Sequence, residues 1–145
     1  MIALASDHAG FQYKEKIKKL LDSLKESYKD FGTSSPEPTD YPDFAHAAAQ
    51  SIARGECDRG IMVCGSGIGM DIVANKSKGV RAAVCTTVEM ARHSRSHNDA
   101  NALVIGERLT DWPTVEQIVK VWLETGFEGG RHERRVKKIH SLTQL

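Results

Sequence analysis

A short apolar run, Gly60-Ile61-Met62-Val63-Cys64, empties directly into Gly65-Ser66-Gly67-Ile68-Gly69, and a helical stretch follows to about Lys76. A strand that is apolar at successive positions, rather than at alternate ones, is buried on both faces. Buried on both faces means helices above and below it. Gly65, Gly67 and Gly69 strip β-carbons from the strand-to-helix turn, so successive N–H groups can converge on an anion at the helix start. The same glycines also suit a tight turn with no ligand, and on residues alone both readings stay open. The spacing is neither G-x-G-x-x-G nor a Gly-Lys-Ser/Thr P-loop, so dinucleotide and ATP sites lose support.

The rest of the chain alternates in the same way. Ile2 to Ala5 reads as a buried strand, and Tyr13, Ile17, Leu20, Leu21 and Leu24 then share one helical face. Tyr28 to Phe31 reads as a weaker strand, followed by a proline-punctuated loop from Gly32 to Pro42. Asp43–Ala53 reads as helix, Val80–Cys85 as strand, Glu89–Arg95 as helix, Ala102–Ile105 as strand and Trp112–Leu123 as helix. Five repeats of strand and helix predict a Rossmann-like, doubly wound α/β fold: a five-stranded parallel sheet with helices on both faces, a three-layer sandwich. Residues 1–145 are expected to form one domain, ending in a basic helix over about 131–142.

In such sheets ligands bind beyond the carboxyl ends of the strands. Ser6-Asp7-His8 follows the first strand, Cys64 to Gly69 the third, and Gly106-Glu107-Arg108 the fifth. Ser96-His97-Asn98-Asp99 ends the fourth unit and is read as facing the same pocket. Thiols beside free amides at a helix N-terminus favour the thiolate, so Cys64 is a candidate base or nucleophile. A structural Cys64 is the alternative. Cys57 and Cys85 read as buried small hydrophobes, since no C-x-x-C spacing or H-E-x-x-H motif supports a metal site. At the C-terminus, Arg131 and Arg135 fall one helical turn apart and can grip a single phosphate. A formal net charge of +1 gives no global field toward nucleic acid, and no apolar run spans a bilayer. The first residues lack a basic, then apolar, leader pattern, so a cytoplasmic location is expected.

Six motifs in fixed order carry a resemblance. They are Ser6-Asp7-His8-Ala9-Gly10, Asp40-Tyr41-Pro42-Asp43, Cys64 to Met70, Ala74-Asn75-Lys76, Ser96 to Asn101, and Gly129-Gly130-Arg131-His132. Over essentially its whole length the chain resembles the type B ribose-5-phosphate isomerases, whose family also holds allose-6-phosphate and galactose-6-phosphate isomerases. The resemblance implies interconversion of D-ribose 5-phosphate and D-ribulose 5-phosphate through a cis-enediolate, without cofactor or metal. It implies a homodimer with shared active sites, with association into a dimer of dimers left open. It assigns Cys64 as general base, Ser66 as the hydroxyl beside it, and His97 as the residue that opens the sugar ring. It assigns substrate contacts to Asp7, His8, Tyr41, Asn98 and the loop amides of Gly65, Gly67, Ile68 and Gly69. Arg131 and Arg135 match its phosphate grip, with Arg108 reaching in from the partner subunit. Pentose against hexose phosphate is not legible. From other classes, a Cys64–His97 thiol hydrolase and a nucleotide-binding regulatory domain remain as alternatives.

Overall fold

The computed structural model describes residues 1–145. Five strands, β1 (Ile2–Ser6), β2 (Tyr28–Asp30), β3 (Arg59–Cys64), β4 (Ala82–Val84) and β5 (Ala102–Gly106), form one sheet. All neighbours pair in parallel, in the order β2-β1-β3-β5-β4. Six α-helices connect or follow them: α1 (Phe11–Ser23), α2 (Tyr41–Ala53), α3 (Ile68–Ala74), α4 (Val88–Ser96), α5 (Trp112–Glu124) and α6 (Arg131–Thr143). A single 3-10 turn, His8–Gly10, separates β1 from α1. This is the expected Rossmann-like α/β sandwich.

Strand alternation divides the core into two layers. Leu4, Ile61, Val63, Leu103 and Ile105 face α1, α4 and α5, where Ile17, Leu21, Ala91, Ile118 and Trp122 meet them. Ala3, Ala5, Met62, Cys64, Ala102 and Val104 face α2 and α3, against Ala45, Ala48, Ala49, Met70 and Ala74. Alanines on both sides let α2 approach the sheet closely. Burying each large aliphatic side chain contributes about 1.5–3 kcal/mol.

Some boundaries differ from the periodicity. The second helix starts at Tyr41, because Pro42 fits the first turn of a helix, where its missing N–H is not needed. The fourth strand is confined to Ala82–Val84 at the sheet edge, where only one neighbour extends it. Leu24 lies past the end of α1 and stays exposed. Capping sets other starts: Thr87 accepts from the Met90 amide at 3.1 Å, and Asp111 from the Thr114 amide at 3.3 Å. No helix is long and apolar enough to cross a membrane.

One buried charge ties the edge of the sheet to the core. Lys14 in α1 is fully buried. Its ammonium donates to both Asp30 carboxylate oxygens at 2.7 Å and to the Thr33 carbonyl at 2.5 Å. Backbone bonds from Ser6 N–H to Gly32 (2.7 Å) and from Thr33 N–H to Ser6 (2.7 Å) complete the clamp. The loop leaving β2 is thereby held beside the end of β1.

Candidate active site

The sheet order places the ends of β1, β3 and β5 side by side, and a cleft of about 310 Å³ opens above them. Asp7, His8, Tyr41, Cys64, Gly65, Ser66, Gly69 and Arg108 line it, together with Ala9 and Leu109. The strand order reverses between β1 and β3, and an open α/β sheet leaves a crevice at such a switch point.

Cys64 is buried at the cleft floor, and the Gly67 amide donates to its sulfur at 3.2 Å. Gly67 takes a left-handed conformation, φ 80°, just before α3. A β-carbon there would sit 2.8 Å from Val84 Cγ2, so both backbone angle and space demand glycine. The Ser66 hydroxyl accepts from the Ile68 amide at 3.2 Å. Behind the loop, the Glu107 amide donates to the Cys64 carbonyl and the Arg108 amide to the Gly65 carbonyl, both at 2.9 Å. The end of β5 therefore fixes the shape of the glycine turn.

Asp7 accepts from the Gly10 amide at 3.0 Å, capping the 3-10 turn that carries His8. The Thr39 N–H donates to His8 Nδ1 at 3.1 Å, and the Thr39 hydroxyl accepts from the His8 amide at 3.1 Å. With Nδ1 held by Thr39, Nε2 is the ring nitrogen left for a ligand. Thr39 lies in an irregular loop, and nothing in its spacing singled it out. Glu107 is a second omission. It accepts from the Tyr13 amide at 2.6 Å, capping the first turn of α1 from across the sheet. Burial pushes its carboxyl up, and the Asp7 charge adds to this, against the Tyr13 amide, Lys16 and Arg108. Its place directly after β5 was the available signal.

Two placements within the single chain differ from a cleft lined by all of these residues together. Arg108 lines the cleft of its own chain: its guanidinium sits over Gly65, 3.1 Å from where a β-carbon would stand. His97 and Asn98 do not face this cleft. They end α4, which runs antiparallel to the strands, and so lie before β5 rather than after it. Gly60 at the start of β3 donates to the Asn101 carbonyl at 2.8 Å, which marks that end of the sheet. At about 3.3 Å per residue, β5 alone separates His97 from Cys64 by more than roughly 13 Å. A Cys64–His97 nucleophile pair within one chain is excluded.

The far end holds its own cluster. The His97 and His132 rings stack at 4.4 Å, and Arg131 and Arg135 flank His132 on α6. Arg131 and Arg135 are both exposed. Burial, together with His97 and the two arginines, holds the His132 ring below its ordinary value. The candidate residues thus fall into two groups: Asp7, His8, Tyr41, Cys64, Ser66 and Arg108 at one end, and His97, Asn98, Arg131 and Arg135 at the other. Cys57 and Cys85 are buried and unpaired, and burial raises the Cys85 thiol to about 11, which suits a structural role.

The model of the ribose/galactose isomerase family matches residues 2–139. The chain belongs to that family. It is 43% identical to ribose-5-phosphate isomerase B of Escherichia coli strain K12, over 99% of this chain and 96% of the relative. A solved structure of ribose-5-phosphate isomerase B from Clostridium thermocellum superposes with a TM-score of 0.97 at 48% identity, covering 99% of this chain and 97% of that one. D-erythrulose-4-phosphate isomerase 2 of Mycolicibacterium smegmatis is 40% identical over 88% of this chain and 86% of its own length. These relatives are named as isomerases of phosphorylated sugars, and the sugars differ in carbon number.

Proposed function

We propose that this protein interconverts D-ribose 5-phosphate and D-ribulose 5-phosphate. The observation that carries the reading is the buried Cys64 thiol held 3.2 Å from the Gly67 amide at the floor of a polar cleft. The aldose-to-ketose step removes a proton from C2 and returns one to C1. Cys64 as thiolate takes and returns that proton. In this reading the negative charge that the enediolate develops on O1 and O2 is met by the Ser66 hydroxyl and by loop amides not already bonded within the turn, as the Gly67 amide is to Cys64 and the Ile68 amide to Ser66. Each well-aimed donor is worth about 3–4 kcal/mol. Asp7, His8 Nε2 and Tyr41 hold the sugar hydroxyls, and Arg108 adds positive charge beside Gly65.

One chain lacks the rest of the machinery at this cleft. We read the enzyme as a homodimer in which the partner's His97 and Asn98 reach the cleft to open the furanose ring. The partner's Arg131 and Arg135 take the phosphate, whose binding energy holds C2 against Cys64. The chemistry calls for no metal or cofactor, and a phosphorylated sugar as substrate fits a cytoplasmic enzyme.

The four-carbon relative supports a second reading, in which another phosphosugar is preferred; allose 6-phosphate and galactose 6-phosphate are the hexose candidates. The test is turnover by purified protein of ribose 5-phosphate, erythrulose 4-phosphate and the two hexose phosphates side by side, in a chelator. Highest kcat/KM on ribose 5-phosphate is expected. Preference for another sugar would transfer the mechanism to it, and no turnover on any would overturn the isomerase reading.

A further inference from the structure

His93 has no part in the isomerisation as derived above, yet its ring covers His97. The two residues stand four apart on α4 and its C-terminal cap, where the His97 N–H donates to the His93 carbonyl at 2.9 Å. Their rings stack at 4.6 Å with 13° between the planes. The His132 ring of α6 stacks on the other face of His97 at 4.4 Å and 9°. Both outer rings face a carboxylate. His93 Nε2 lies 2.9 Å from Glu89 Oε1, and Arg92 donates to Glu89 Oε2 at 2.7 Å. His132 Nε2 lies 3.6 Å from Glu128 Oε2, and the Glu128 amide donates to the Ser96 carbonyl at 3.0 Å, which holds that segment beside the end of α4.

We propose that His93 is a positioning residue for His97: its ring, anchored by Glu89, fixes the plane in which His97 presents its nitrogens to the sugar. The role rests on the function proposed above, in which His97 opens the furanose ring in the partner's cleft. His97 lies just past the last residue of α4 and is half-buried, so the helix alone does not fix its ring. With both faces covered, only the ring's edge stays open, and that edge carries both nitrogens. Ring opening breaks the C1–O4 bond while a proton leaves the C1 hydroxyl and one arrives at O4. An imidazole that serves this exchange meets the two oxygens edge-on, and a small misplacement of a reacting group is costly in rate. His132 is buried and forms the fixed wall of the stack. His93 is about half exposed, on the side of His97 away from His132, and acts only through the ring it covers.

The test compares His93→Ala and His93→Phe with wild type, using deuterium exchange at C1 of ribulose 5-phosphate as a second reaction. The C5 oxygen of that ketose carries the phosphate, so it has no furanose to open, and its C1 exchange calls on Cys64 but not on His97. His93→Ala should lower kcat on ribose 5-phosphate about two- to tenfold, the worth of one aromatic pair, with KM little changed. C1 exchange should match wild type, and His93→Phe, which keeps a ring over His97, should restore most of the lost kcat. In the proton NMR spectrum of the imidazoles, His93→Ala should remove part of the upfield ring-current shift of His97. An unchanged kcat in His93→Ala, equal losses of turnover and C1 exchange, or no rescue by phenylalanine would overturn the proposal. An unmoved His97 resonance would overturn the stack on which it stands. Wild-type protein inactive on every sugar phosphate would instead count against the isomerase reading, and the NMR comparison would still decide whether His93 orders His97.

Discussion

Cys64 pairs in register with Gly106, the last residue of β5, whereas His97 lies before Ala102, the first. Two residues expected to serve one reaction therefore stand at opposite ends of one sheet. If each active site takes Cys64 from one chain and His97 from the other, two dead variants can rescue each other. Cys64→Ala and His97→Asn, each inactive alone, should recover about a quarter of wild-type activity when unfolded together and refolded, because half of randomly formed dimers carry one intact site of two. Absence of any recovery would place both residues in different processes.

Cys64→Ala removes the proton acceptor but leaves the cleft's polar groups in place. Its kcat should fall by roughly 10²–10⁴-fold or more, with substrate affinity measured by calorimetry changed little. Wild-type turnover in this variant would remove Cys64 from the mechanism.

Gly106 is required by close approach. A β-carbon there would lie 2.5 Å from the Ser66 carbonyl oxygen, which is backbone and cannot swing aside. Gly106→Ala should cost about 1–3 kcal/mol in urea unfolding and depress kcat through the displaced glycine turn. An unchanged kcat would mean that the turn's shape is not critical to turnover.

Lys14→Ala leaves the Asp30 carboxylate and the Thr33 carbonyl without their cation. Removing one partner of a buried pair costs about 3–5 kcal/mol, and the partial exposure of Asp30 puts the expectation at the lower end. Lys14→Met should recover only the packing part. Equal stability of Lys14→Ala and wild type would show the clamp to be dispensable.

Burial alone would raise the Asp30 carboxyl, but Lys14, the Gly32 amide and Lys18 outweigh it and hold it below its ordinary 3.8. The unfolded chain then binds this proton more readily than the folded one. The stabilisation is complete above 3.8 and is lost as pH falls below it through the lower folded value. The gap in urea midpoint between wild type and Asp30→Asn should be widest near neutrality and narrow below about pH 3.8. A gap that stays constant into acid would show that Asp30 is not held as a charged group.

What the chain determined by itself was local. Continuous apolar runs, helical spacing and the glycines after Cys64 specify five strand–helix units and the turn that carries the thiol, because periodicity and backbone freedom depend on near neighbours. Asp7, His8, Cys64 and Ser66 were legible for the same reason: each ends a strand or lies within two residues of its end, and strand ends in a parallel sheet point one way. The tertiary structure decided the rest. Inserting β5 between β3 and β4 sets Arg108 over Gly65 within a single chain. The antiparallel return of α4 sends His97 to the opposite end, and Lys14, a lysine on an otherwise ordinary helix, becomes a buried tie because Asp30 and Thr33 arrive from another strand and loop. Such placements follow from sheet order and crossover direction, which no local pattern of side chains encodes.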